Sequence, residues 1–248
     1  LEEYNAAEIR EQFIRLCLDY GFNPGHGARY TEEEVKTWET YNRGFTVLPN
    51  IGVKGSHGWA TQKTLQKHGW EQKAYIYAPF DEHSKEAMPD VVRWAQDWRR
   101  DNPHIKILDV YYGSYTEPLH GLVDVWCRDL QRDSWTRERM QAGDEFWRVN
   151  APLIWGVEDN LLEGRADYWK IWSHEYTGQL LWSVIAWGNK TRPDYRGLGS
   201  NALALNLFPI PNGVVPTIRW ENMRDGLEDY EYFYLLKKFT LAYEARAG

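Results

Sequence analysis

Apolar positions in this chain follow two rhythms, and the alternation between them gives the element order. Ile9, Phe13, Leu16, Cys17 and Tyr20 recur at helical spacing and stop at Gly21. Phe22-Asn23-Pro24 reads as a short strand leaving that turn. Thr31 with Glu34 forms a capping box, predicting a helix through about Tyr41. Gly44 to Pro49 reads as a strand, Trp59 to His68 as a helix ended by Gly69, and residues 74 to 80 as a buried strand. Pro89 suits a first helical turn, with Val91, Ala95 and Trp98 on one face and Asn102-Pro103 as the break. Strands are expected at Ile105 to Tyr112, Leu122 to Trp126, Phe146 to Ala151 and Leu180 to Trp187. Ser134 caps a helix ending near Gly143. Ala166, Trp169 and Trp172 mark another helix, ended by Gly178, and a last helix runs from about Asn222 to Tyr243.

Strands alternate with helices, without a hairpin signal or an internal repeat, which favours a parallel sheet. About seven strands are counted where a (β/α)8 barrel needs eight. The expected fold is therefore an α/β, TIM-type (β/α)8 barrel lacking or truncated at its first strand, with residues 1–248 as one catalytic domain. A doubly wound sheet is the alternative. The barrel is preferred because Asn50, Asp81, Glu82, Tyr112, Trp126, Asn150 and Trp187 all fall at strand ends, which a barrel gathers on one face.

Charge narrows the function. Lys and Arg number 29 against 36 Asp and Glu, a net charge of -7, where a nucleic-acid or anionic-membrane surface wants a basic field. No run approaches the roughly 18 apolar residues of a membrane span. The two cysteines, Cys17 and Cys127, read as buried free thiols and do not settle the compartment, although a secreted or periplasmic setting is expected over a cytoplasmic one. The chain opens at Leu1 without an initiator Met or a signal sequence, and is expected to be the C-terminal part of something longer. Its 14 Trp and 16 Tyr fit a carbohydrate protein, whose sites use aromatic faces as platforms, and equally a large core.

The stretch Tyr75-Ile76-Tyr77-Ala78-Pro79-Phe80 ends abruptly at Asp81-Glu82. A helix start is one reading of that pair, since acids favour first turns. Catalysis is the other. Adjacent residues on a strand point to opposite sides, so the two acids do not serve as acid and nucleophile on one bond, an arrangement that places carboxyls about 5–5.5 Å apart. They suit a division of labour instead. One acid protonates the glycosidic oxygen, while the other grips a 2-acetamido group whose carbonyl oxygen attacks the anomeric carbon. That needs one carboxyl with a raised pKa and one that stays ionised.

The segment Leu180-Leu181-Trp182-Ser183-Val184-Ile185-Ala186-Trp187, followed by Pro216 to Tyr232 with its Arg224-Asp225-Gly226-Leu227-Glu228-Asp229-Tyr230-Glu231 run, resembles the catalytic domain of glycoside hydrolase family 123. The resemblance extends back to Asp81-Glu82 and is weak over the N-terminal third. It implies a (β/α)8 barrel and an exo-acting, retaining β-N-acetylgalactosaminidase using substrate assistance. Glu82 would be the general acid/base, and Asp81 would orient the acetamido group. The chain departs from the family in having His83 where Pro usually follows the pair, and in lacking the N-terminal β-sandwich and first barrel strand.

Further candidates rest on strand-end placement. Trp187 is read as a wall against the sugar or as core. Tyr112 is a donor to the acetamido oxygen. Asp124 and Trp126 share parity and could line the site, although an Asp satisfied by backbone is an equal reading; Asn150 is a hydrogen-bonding candidate of the same kind. The Arg219 to Glu231 stretch is read as structural, with Arg224 pairing Asp225 or Glu228. The seven histidines lack metal-ligand spacing, and no phosphate loop or nucleophile elbow is present, so neither metal nor organic cofactor is expected. The expected partner is a glycan or glycoconjugate. A same-fold glycosidase without acetamido participation, with Asp124 as base, and a non-catalytic sugar-binding relative remain the other readings.

Overall fold

The computed structural model describes residues 5–25, 28–42, 44–49, 62–78, 83–110, 115–149, 160–181, 184 and 206–247. Contacts group the chain into two compact units, residues 10–149 and residues 1–9 with 150–248.

In the first unit, α1 (Ala6–Asp19, its first turn numbered with the other unit) and α2 (Glu32–Glu39) precede β1 (Leu48–Pro49), α3 (Gln62–His68), β2 (Ala74–Tyr77), α4 (Met88–Asp101), β3 (Lys106–Val110), β4 (Val125–Arg128), α5 (Ser134–Gln141) and β5 (Glu145–Val149). The five strands lie side by side in chain order, every neighbouring pair parallel. This corrects the expected barrel. Among the described residues the sheet is open and curled, with five parallel strands rather than eight in a closed ring. Its order does not reverse, so it is not doubly wound either. Alternation of strand and helix is common to open and closed sheets, whereas closure depends on stagger and strand number that local pattern does not encode.

Local signals were obeyed where the sequence was unambiguous. Thr31 Oγ1 accepts from the Glu34 N–H at 3.2 Å, and Gly21 and Gly69 end their helices at positive φ. Elsewhere the expectations shifted: Phe22–Pro24 is not a strand, and β1 keeps only Leu48–Pro49 of the expected Gly44–Pro49. Asp133, not Ser134, caps α5, accepting from the Thr136 N–H at 2.7 Å. β4 begins at Val125 because Gly121, at φ 78°, turns the chain, and Leu122-Val123 lie in that turn with Val123 buried.

Right-handed crossovers between consecutive parallel strands put their helices on one face. Trp135 of α5 confirms the face: it meets Trp126 and Phe146, register partners on β4 and β5, edge-on at 5.2 and 5.6 Å. Parallel register carries that face to Asp109, partner of Trp126 on β3. The opposite face bears Tyr75 and Trp147, whose rings meet at 5.1 Å although β3 and β4 lie between their strands. Lys106 and Glu145 pair on the same face. A core of Ile14, Leu18, Tyr30, Trp38, Leu48 and Leu65 closes the β1 end. Both cysteines are buried free thiols.

The second unit holds α6 (Leu161–Ser173), β6 (Gly178–Leu180), β7 (Leu207–Ile210), β8 (Gly213–Pro216) and α7 (Ile218–Ala247). β7 and β8 form an antiparallel hairpin around Pro211-Asn212, which the sequence reading missed because its flanks do not alternate. α6 ends at Ser173 rather than near Gly178, which opens β6. α7 packs along α6 through the Arg224–Glu231 stretch. A Cβ on Gly226 would sit 2.6 Å from Tyr168 Cδ2 and 2.9 Å from the Arg165 carbonyl, so glycine sets the approach of the helices. Asp229 takes the Arg165 fork at 2.6 and 2.8 Å and the Trp169 indole N–H at 2.7 Å. Tyr230 donates to the Tyr176 carbonyl at 3.0 Å. Arg224 pairs with Glu221, Asp225 and Glu228 along α7 itself. No helix among the described residues is long and apolar enough to cross a membrane.

Candidate functional site

Ligand chemistry in parallel sheets gathers outside the carboxyl ends of the strands. At that edge of β2, Asp81, Glu82 and the residues before them lie outside the described residues, as do Tyr112, Asn150 and Trp187. The chain on either side of positions 79–82 is described, and both flanks are held to β3. Upstream, the N–H of buried Ala78 donates to the Leu108 carbonyl at 2.9 Å, extending the ladder one residue past β2. Downstream, His83 Nε2 lies 3.1 Å from Asp109 Oδ2, with side chains 1% and 0% exposed. Lys85, two residues on, sits 4.8 Å over the ring of Tyr115, which ties the connection after β2 to the one after β3.

The buried pair has a defined electrostatic character. Burial disfavours a charged imidazole, but the hydrogen bond and charge of Asp109, with a backbone hydrogen bond at Ser84, more than offset it and raise the His83 pKa above its ordinary value. A buried carboxylate is costly unless paired, so Asp109 and His83 stabilise each other's presence in the helix-covered layer. At 1% exposure the imidazole does not reach a substrate. Its role is to hold the chain.

The carboxyl ends of β4 and β5 carry guanidinium groups. Arg128 stands 4.7 Å over the Trp135 ring and 3.7 Å from Asp133, while buried Arg148 pairs with Asp129 at 2.7 Å. These contacts brace the same strand edge. Among the described residues no group of three or more His, Cys, Asp or Glu is placed to hold a metal ion.

Asp124 and Trp126 share a strand face, as their parity requires, but neither stands at the carboxyl edge. Asp124 precedes β4 at the amino edge, where its carboxylate takes Arg99 at 2.5 Å and the Ile107 N–H at 2.7 Å. Trp126 is buried under α5, and its indole N–H donates to Asp144 at 2.7 Å, the carboxylate that Arg139 also grips. Both side chains serve packing between strands and helices. His83 and Asp109 are the residues that the strand-end survey did not select. Asp109 had a visible signal, an acid within the apolar run Ile107-Leu108-Asp109-Val110, which demands a buried partner.

No family model matches the chain, and no curated protein matches it.

Proposed function

We propose that the chain is a glycoside hydrolase that removes terminal β-linked N-acetylgalactosamine with retention, using the substrate's 2-acetamido group as nucleophile. Glu82 protonates the leaving oxygen and then deprotonates water; Asp81 orients the acetamido and stabilises the cyclised intermediate. The observation that supports this reading is that Ala78 and His83, the described residues on either side of the sequence that holds the acid pair, are both tied to β3. The resemblance to glycoside hydrolase family 123 supports the same assignment, as does the aromatic content.

Tyr112 and Asn150, two residues and one past the ends of β3 and β5 in the sequence, are assigned hydrogen bonds to the sugar. Trp187 is assigned to the sugar wall. Asp124 is not given a catalytic role, since its carboxylate is committed to Arg99 and the β3 backbone at the other edge.

The test is hydrolysis of an aryl β-N-acetylgalactosaminide followed by NMR of the first-formed anomer. Retention is expected, with tight inhibition by a thiazoline mimic of the cyclised intermediate. Asp81→Asn should lower kcat by roughly a hundredfold or more, as loss of an oriented electrostatic stabiliser does. An inverted product, or turnover by Asp81→Asn at the wild-type rate, would sink the assignment.

A further inference from the structure

α7 has two apolar faces. The first packs on α6, where the rings of Tyr230 and Phe233 meet Trp172 at 5.4 and 5.8 Å. The second is Tyr232, Leu235, Leu236, Phe239 and Tyr243, spaced i, i+3, i+4, i+7 and i+11, and lies about a third of a turn round the helix from the first. Its side chains are 42% to 73% exposed. A contiguous stripe of this kind on a soluble surface marks an interface, and a projecting helix end gains little stability from propensity alone. A groove of about 370 Å³, lined by Trp172, Phe233, Leu236 and Leu241 among others, opens beside the stripe and can receive a large side chain from whatever covers it.

We propose that this stripe is a homodimer seam, on which α7 of a second copy packs antiparallel about a two-fold axis between Lys237 and Lys238. Three observations favour a second copy. The stripe is centred on that axis, so the rotation opposes Tyr232 with Tyr243 of the partner subunit and Leu236 with Phe239 of the partner subunit, which makes the surface self-complementary. The flanks are complementary in charge. Glu228 and Arg246 are five helical turns apart on one edge of the stripe, and the same rotation brings Glu228 beside Arg246 of the partner subunit, twice over. Lys237 and Lys238 lie more than a quarter-turn from the seam, so like charges do not meet across it. The area is also adequate. At 150–250 Å² for a whole aromatic side chain, the exposed parts of these five residues offer on the order of 600 Å² per copy before flanking atoms are added, against about 800 Å² per partner in a standard interface.

Sedimentation velocity on the purified chain, from about 1 to about 100 μM, should show a concentration-dependent monomer–dimer equilibrium. Phe239→Asp should weaken dimerisation by roughly a hundredfold or more, since it puts a charge at the seam's centre. Glu228→Arg and Arg246→Glu should each weaken it roughly tenfold, and the double reversal should restore it to within a fewfold of wild type. Circular dichroism of each variant checks that helix content is kept. A chain that stays monomeric throughout overturns the proposal and means that something other than a second copy covers the stripe. A dimer indifferent to Phe239→Asp overturns it as well, and failure of the double reversal overturns the antiparallel pairing.

Discussion

The α6–α7 pair and the β2–β3 edge are built on opposite relations between sequence and chemistry. The helix pair contains the longest and most distinctive motif of the chain, Arg224 to Glu231, and its side chains that face α6 are spent on packing: Gly226 admits α6, Asp229 takes the Arg165 fork, and Tyr230 reaches a carbonyl. The strand edge offers two acids and a histidine in a row, an unremarkable string, yet its flanks are the ones anchored where parallel sheets keep their chemistry. A motif's length measures how many neighbours constrain it, which is greatest in a helix–helix contact. Catalytic groups need few residues and a rigid frame.

The sharpest way to break this contrast is to exchange the readouts. Glu82→Gln should lower kcat on an aryl β-N-acetylgalactosaminide by about 10²- to 10⁴-fold, the usual range for a general acid, without lowering the melting temperature. Asp229→Asn should leave kcat per folded molecule within about twofold. If the second variant lost activity and the first did not, the two regions would have been assigned the wrong way round.

Next in size is a stability effect confined to the helix pair. Gly226→Ala gains about 1 kcal/mol of helix propensity, but its Cβ meets Tyr168 and the Arg165 backbone inside van der Waals contact, an overpacking that costs about 1–3 kcal/mol. The net should be destabilising, read as a melting temperature lower by a few degrees. A rise would mean that the close approach of α6 and α7 is not what the glycine serves.

A smaller, pH-dependent effect belongs to the strand edge. Because the His83 pKa is raised on folding, its contribution is fully present below the unfolded value near 6.5 and is lost as pH rises through the folded value. Thermal melts of wild type and His83→Gln should therefore differ more at about pH 6 than at about pH 9. A gap that grew with pH would contradict the charged pair.

The smallest effect is on the acid side of the helix pair. Arg165, and then Trp169, hold the Asp229 carboxyl below its ordinary range, with burial opposing them. Its contribution is present above the unfolded value near 3.9 and fades as pH falls through the folded one. The melting-temperature difference between wild type and Asp229→Asn should be seen at neutral pH and should shrink toward about pH 3, most clearly at low salt because Arg165 is part-exposed.

Much of the framework was legible residue by residue. The Thr31–Glu34 cap, Pro89 in the first turn of α4, the glycine stops and the strands carrying Tyr75-Ile76-Tyr77 and Ile107-Leu108 follow from dihedral preferences and hydrogen-bonding needs that act within a few residues. The β7–β8 hairpin was not read, although Pro211-Asn212-Gly213 is a turn sequence, because its strands lack alternation. The parity of Asp124 and Trp126 was right, and it still did not reveal that their shared face is the one α5 covers, or that Asp124 stands at the amino edge. Parity relates a residue to its neighbours along one strand; which side is covered depends on crossovers and on strands elsewhere.

The sequence by itself determined the alternation of helices and strands through β5, that those strands run in parallel, that an acid pair follows the strand at Tyr77, and that the chain carries a net negative charge. Only the tertiary structure decided that five of those strands make an open curled sheet instead of a closed ring, that Asp109 and His83 find each other across 26 positions, and that the Arg224–Glu231 stretch, already read as structural, packs on Arg165, Tyr168 and Trp169 of α6. Local preferences are short-ranged and additive along the chain. Closure, burial and charge pairing depend on which distant segments are brought to within a few ångströms, and that is set by the whole fold at once.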